Sequence, residues 1–187
     1  GDAIAMLDLG LSYFHGSGLT KDGKKAFYWI KKAAEKGYAT AMYYLGDSYQ
    51  NGISVTKDYE KAVYWYKKAA KKGVEMAMNN LGNCYKYGVG VAKDYKKAVY
   101  LFKEAAQKGN VSAMNNVGIC YATGVGVAKD YKKAVYVFKV LAEKGNASAM
   151  NNLGFCYKKG IGVTKDEEKS NYWFKKAKEN GYTDESN

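Results

Sequence analysis

The chain has 187 residues, with 30 lysines, no arginine and 18 acidic side chains, giving a formal net charge of +12. A hydrophobic share of 47% with 15% aromatics excludes a disordered polyelectrolyte, and no apolar run reaches the roughly 18 to 20 residues of a membrane-spanning helix. No basic-then-apolar leader opens the sequence, and three cysteines are too few for a disulfide-built fold; a monomer is expected.

An internal period organises everything else. Met6, Met42, Met78, Met114 and Met150 recur every 36 residues, as do Gly10, Gly46, Gly82, Gly118 and Gly154. Tyr13, Tyr49, Tyr85, Tyr121 and Tyr157 keep the same step, followed by Asp22, Asp58, Asp94, Asp130 and Asp166. Five units fill one domain over residues 1–187, at about 2–37, 38–73, 74–109, 110–145 and 146–187, with no linker between them.

Each unit predicts two helices. In the third, Ala77, Asn80, Leu81, Cys84 and Tyr85 fall at i, i+3, i+4, i+7 and i+8, one face of a helix. Gly88-Val89-Gly90-Val91 then ends that helix, since glycine accepts the left-handed conformation of a C-terminal stop. Asp94 is placed to cap the next helix, with Ala98, Phe102, Ala105 and Ala106 as its apolar stripe and Gly109 as its end. One such hairpin cannot bury its own stripe, whereas five stacked copies share a continuous core.

These residues resemble the Sel-1-like repeat, a relative of the tetratricopeptide repeat. The resemblance rests on Ala77-Met78-Asn79-Asn80-Leu81-Gly82, on Gly88-Val89-Gly90-Val91-Ala92-Lys93-Asp94, and on Lys97-Ala98 with Ala105-Ala106 and Gly109. It implies an all-α fold, a right-handed α-solenoid superhelix of five helix-turn-helix repeats. It also implies a noncatalytic scaffold or adaptor that binds a peptide or protein on the concave face lined by the first helices. The copies depart from the pattern at Ser54, where a loop glycine is expected, at Leu141 in place of an alanine, and at Ser170, Asn171 and Lys178 in the last helix. The last three suit a polar C-terminal cap.

Comparing copies in chain order separates scaffold from recognition. On one side of the first helix the residues change while their neighbours stay fixed. The series runs Leu7, Leu11, Phe14 and His15; Tyr43, Asp47, Gln50 and Asn51; Asn79, Asn83, Lys86 and Tyr87; Asn115, Ile119, Ala122 and Thr123; and Asn151, Phe155, Lys158 and Lys159. Candidate partner-binding residues are therefore Tyr43, Asp47, Asn79, Asn83, Tyr87, Asn115, Ile119, Asn151 and Phe155. Amides donate and accept at once, so the Asn79, Asn115 and Asn151 ladder can hold an extended backbone, the role that asparagines of the first helix have in tetratricopeptide modules. The neighbouring Asn80, Asn116 and Asn152 belong to the repeat motif and read as structural.

A second ladder, Tyr28, Tyr64, Tyr100, Tyr136 and Tyr172, lies on the other helix with a lysine three residues after each tyrosine, and reads as half-buried rings under lysine stems. Cys84, Cys120 and Cys156 sit one per unit. Stacked helices lie roughly 8 to 10 Å apart, beyond the about 4.4 to 6.8 Å that a disulfide spans between Cα atoms, so they read as packed thiols. No close cysteine pair offers a zinc site, and no cofactor is expected.

The resemblance also raises catalysis, because a secreted, cysteine-rich branch of the family has been linked to β-lactam hydrolysis. That branch braces its helices with cysteine pairs eight residues apart, and the matching positions, Ala70 and Met78 among them, lack cysteine, which fits a reducing compartment. His15 is the single histidine and has no repeated partner, so a β-lactam-binding or β-lactamase-like protein is the alternative and not the leading reading. A nonspecific polyanion binder is the third. Without arginine the usual bidentate reader of guanine is missing, so sequence-specific nucleic-acid binding is not expected.

Overall fold

A computed structural model describes residues 2–183. Among the described residues there are ten α-helices and no strand. They are α1 (Ala3–His15), α2 (Gly23–Glu35), α3 (Ala39–Asn51), α4 (Tyr59–Lys71), α5 (Glu75–Tyr87), α6 (Tyr95–Gln107), α7 (Val111–Thr123), α8 (Tyr131–Glu143), α9 (Ala147–Lys159) and α10 (Glu167–Glu179). The result is the expected all-α solenoid of helical hairpins, one per 36-residue unit.

The hairpin turns are built as their sequence demands. The odd-numbered helices end at Gly16, Gly52, Gly88, Gly124 and Gly160, each left-handed, with φ between 69° and 78°. Asp22, Asp58, Asp94, Asp130 and Asp166 then cap the even helices, each Oδ1 accepting from the backbone N–H three residues on at 2.9–3.0 Å. The same aspartates donate their own N–H groups to the carbonyls of Tyr13, Tyr49, Tyr85, Tyr121 and Tyr157 at 2.9–3.1 Å. Lys25, Lys61, Lys97, Lys133 and Lys169 complete the device, each bonded to the capping carboxylate at 2.7–3.6 Å and lying 5.3–5.7 Å from the centroid of the same tyrosine ring. The fixed Tyr, Asp and Lys series is one turn structure made five times.

The fixed glycines of the odd helices mark where the two helices of a hairpin touch. A Cβ added at Gly46, Gly82, Gly118 or Gly154 would stand 2.6–2.8 Å from the ring of Tyr66, Phe102, Phe138 or Phe174. No side chain fits there.

The chain divides between residues 105 and 106 into two compact units. In the first, α1 packs on α2, α2 on α3, α3 on α4 and α4 on α5 around Ile30, Leu45, Val63, Tyr66 and Leu81. In the second, α7 packs on α8, α8 on α9 and α9 on α10 around Val135, Phe138, Met150, Leu153 and Ala177. No helix among the described residues is long and apolar enough to cross a membrane.

Candidate functional site

In the first unit, several of the positions that vary between copies border hollows between consecutive first helices. In the first unit, a hollow of about 190 Å³ has Leu11, Phe14 and His15 of α1 on one side and Asp47 of α3 on the other. The next, of about 280 Å³, is walled by Gln50 and Asn51 of α3 and by Asn83 and Tyr87 of α5. Tyr87 is 61% exposed, a large apolar surface left in water, and the Lys86 ammonium lies 4.9 Å from its ring centroid.

Asp47 is the most constrained member of this set. It is half-buried, accepts from the Asn51 side-chain amide at 3.0 Å, and burial raises its carboxyl above the ordinary aspartate value. The Tyr66 hydroxyl opposes that rise. Tyr66 is fully buried where the other copies have Ile30, Phe102, Phe138 or Phe174, and its burial drives the phenol far above its usual range. Its oxygen accepts from the Asn80 amide at 3.3 Å, and Asn79 donates to Asn80 at 3.4 Å. Tyr43 lies beside this chain, its ring 6.2 Å from that of Tyr66, and burial raises its phenol first and the Asp47 charge second. A hydroxyl placed in an apolar core is thus answered by a carboxylate and an amide from two other helices.

Asn79 is buried and turned into that polar chain, so it does not present the open amide that a ladder would need. Asn80 has the structural role expected of it. In the second unit, Asn115 accepts from Asn152 of the following repeat at 3.0 Å, which makes the amide ladder a bridge between repeats. Asn151 is half-buried beside it.

Ile119 is half-buried against the core cluster of the second unit, and Phe155 is 47% exposed with its ring edge-on to Phe174 at 5.1 Å. Beyond Phe174, a hollow of about 440 Å³ is bordered by Lys158, Lys159 and Lys165. Comparison of copies misses Tyr66, because its ring keeps the aromatic pattern and only its hydroxyl departs. The pairing of that hydroxyl with Asp47, itself aligned with Leu11, Asn83, Ile119 and Phe155, is the signal that finds it.

The other candidates resolve simply. Cys84, Cys120 and Cys156 are buried and unbridged, and burial pushes the Cys84 and Cys156 thiols up to about 11. His15 is exposed and stands edge-on to Phe14 at 4.9 Å. No cluster of three or more His, Cys, Asp and Glu side chains suited to a metal occurs among the described residues. The tyrosine ladder is more open than expected, at 50–70% exposure, and its cation contacts come from i+4: Lys32 lies 4.6 Å from Tyr28, and Lys68 4.5 Å from Tyr64.

Comparison with known proteins agrees with this architecture. The Sel1 repeat model matches five times, at residues 3–38, 39–74, 75–110, 111–146 and 147–182. A Sel1 repeat protein from Oxalobacter formigenes is 36% identical and superposes with a TM-score of 0.87 over 97% of this chain and 75% of its own. A protective antigen of uropathogenic Escherichia coli with the same repeat fold is 42% identical, with a TM-score of 0.89 over 97% of this chain. This chain spans 39% of that antigen's length. Cysteine-rich protein B of Helicobacter pylori is 29% identical over 59% of this chain and 86% of its own, with a TM-score of 0.52. A search of curated proteins gave no match. Such repeats commonly serve as protein-interaction scaffolds, and with five of them in phase from residue 3 to residue 182 the chain belongs to the Sel1 repeat family.

Proposed function

We propose that this protein is a noncatalytic scaffold that holds a peptide or protein segment against its first helices. The observation that carries the reading is the coincidence of two independent maps. Several of the positions that differ from copy to copy, Leu11, Phe14, His15, Asp47, Asn83 and Tyr87, border the hollows between successive first helices, beside residues such as Lys57 that are fixed in every copy. A packing surface repeats, as the fixed Gly, Tyr and Asp series do. A recognition surface must differ from copy to copy if it is to read different residues of one ligand.

The contacts divide by chemistry. Tyr87 and Phe155 present exposed rings, which suit apolar side chains of a partner. Asn83 presents its amide at the edge of a hollow, suited to the partner's backbone, and the half-buried Asn115 and Asn151 continue the same series of positions. Asp47 with Tyr43 offers the acidic spot, while Asn79 acts from behind by fixing Asn80. Ile119 supports this surface from its half-buried position.

The test is selection from a display library of random 15-residue peptides on the full chain. Peptides enriched on the wild type are expected to lose about tenfold or more in affinity for Tyr87→Ala/Phe155→Ala, with the helical circular dichroism unchanged. Equal affinity for the variant would remove the first-helix surface as the site.

A further inference from the structure

The fourth repeat carries a hole where the first, second and fifth repeats place a tryptophan and a lysine. Position 137 is Val, where the first, second and fifth copies have Trp29, Trp65 and Trp173. Position 140 is Val, where those copies have Lys32, Lys68 and Lys176, and position 117 is Val, where Leu9, Leu45, Leu81 and Leu153 stand elsewhere. In the complete copies the tryptophan stands edge-on to its neighbouring tyrosine, with centroids 5.1–5.2 Å apart. The lysine stem closes over both rings in the first two: Lys32 is 5.5 Å from Trp29, and Lys68 is 5.0 Å from Trp65.

Removing the indole and the stem uncovers what lies beneath. Met42, Met78 and Met150 are 5–8% exposed, whereas Met114 is not buried. Tyr136, without a lysine at i+4, is 70% exposed, the most open of its ladder. Leu141, in place of Ala33, Ala69, Ala105 and Ala177, adds a wall without closing the space. What results is an apolar hollow of about 230 Å³ lined by Met114, Val117, Tyr136, Val137, Val140 and Leu141. It lies on α7 and α8, with Ala106 at the end of α6 also in its wall, and is separate from the first-helix positions of the proposed groove.

The surroundings define the ligand. Lys144, the C-cap of α8, follows Val140 and Leu141 by one turn, and Lys139 is three residues beyond Tyr136. The equivalents of Lys139 in the first and fifth copies pair with a glutamate four residues on, Lys31 with Glu35 at 3.7 Å and Lys175 with Glu179 at 4.0 Å. Among the described residues neither Lys139 nor Lys144 has a carboxylate within 4.0 Å, although Glu143 holds the same place on α8. An apolar hole shaped by the absence of an indole, with Lys139 and Lys144 close by in the sequence of α8 and its cap, calls for a complementary side chain with acidic neighbours. We propose that this hollow is a second docking site, which receives a tryptophan-type side chain from an acidic segment of a partner protein. The incoming ring takes the place that Trp29, Trp65 and Trp173 fill from within their own repeats, and its acidic neighbours meet Lys139 and Lys144.

The probe is a blocked pentapeptide with one tryptophan between paired acidic residues, titrated calorimetrically into the full chain. Saturable binding to the wild type is expected. It should weaken about tenfold or more when the peptide's tryptophan is replaced by alanine. The same loss is expected in Val137→Trp/Val140→Lys, which fills the hollow with the pair found in the first, second and fifth repeats, with a melting temperature no lower than the wild type's. Val140→Glu, which sets a like charge against the peptide as Glu104 would in the third copy, gives a second variant with the same expected loss. Tyr87→Ala/Phe155→Ala should bind the pentapeptide unchanged, so failure here is distinguishable from failure of the first-helix groove. No saturable binding, equal affinity for the filled variant, or self-association of the wild type that the filled variant lacks would each overturn the proposal, the last by making a second copy the occupant.

Discussion

Ser54 shows how one residue records its neighbour. It has φ of 59°, and it is the only non-glycine residue with positive φ among those described. Glycine holds the equivalent loop position in every other copy, and at Gly90 and Gly162 a Cβ would overlap the carbonyl groups of Tyr59 and Tyr131. Ser54 is tolerated because the residue it faces is Gly23, which stands where the later copies have tyrosine or glutamate. The serine still pays for a left-handed backbone, and Ser54→Gly is expected to stabilise the chain by about 1 kcal/mol in urea denaturation. An unchanged or lower midpoint would show that the loop relieves that strain elsewhere. The sequence shows Ser54 as an exception, but the pairing with Gly23 needs the turn of one repeat laid against the helix start of the previous one.

At the scale of the helix, the caps and the buried polar chain respond to acid with opposite signs. The five capping aspartates are held below the ordinary value of 3.8: in Asp22, Asp94 and Asp130 chiefly by the backbone N–H they accept, in Asp58 and Asp166 chiefly by the lysine ammonium. Their folded values lie below their unfolded ones, so they contribute stability above about pH 4 and lose it as pH falls through the folded values. Asp47 is raised by burial, so its ionisation costs stability as pH rises through its folded value. The melting-temperature difference between Asp47→Asn and wild type is therefore expected to grow in favour of the variant from about pH 4 to about pH 6. A difference that shrinks over that interval would place the Asp47 carboxylate in a site that favours its charge. The caps were legible from the period alone, since an aspartate three residues before a lysine at every helix start has a local geometry. The orientation of Asn79 was not legible. Adjacent helix positions point about 100° apart, and which of two neighbouring amides faces the core depends on Tyr66, from another helix.

For the molecule as a whole, repetition explains most of the unusual composition. Lys21, Lys25 and Lys31 recur in all five copies and supply half of the 30 lysines. The Lys25 series is tied to capping aspartates and tyrosine rings, and because each of these lysines is matched by an aspartate the five pairs add nothing to the net +12, which the remaining lysines carry. The fold was readable because a fixed glycine, tyrosine or aspartate at each step of 36 residues has one structural meaning. The hollow of the fourth repeat was hidden because it consists of missing atoms, which matter only once Trp65 and Lys68 show what covers the same place. The claim that the first helices form the recognition surface is tested most directly by amide hydrogen exchange of the full chain, with and without a peptide selected on it. Added protection is predicted in the C-terminal halves of odd-numbered helices, around Asp47, Asn83, Ile119 and Phe155. Protection confined to the even-numbered helices would contradict it.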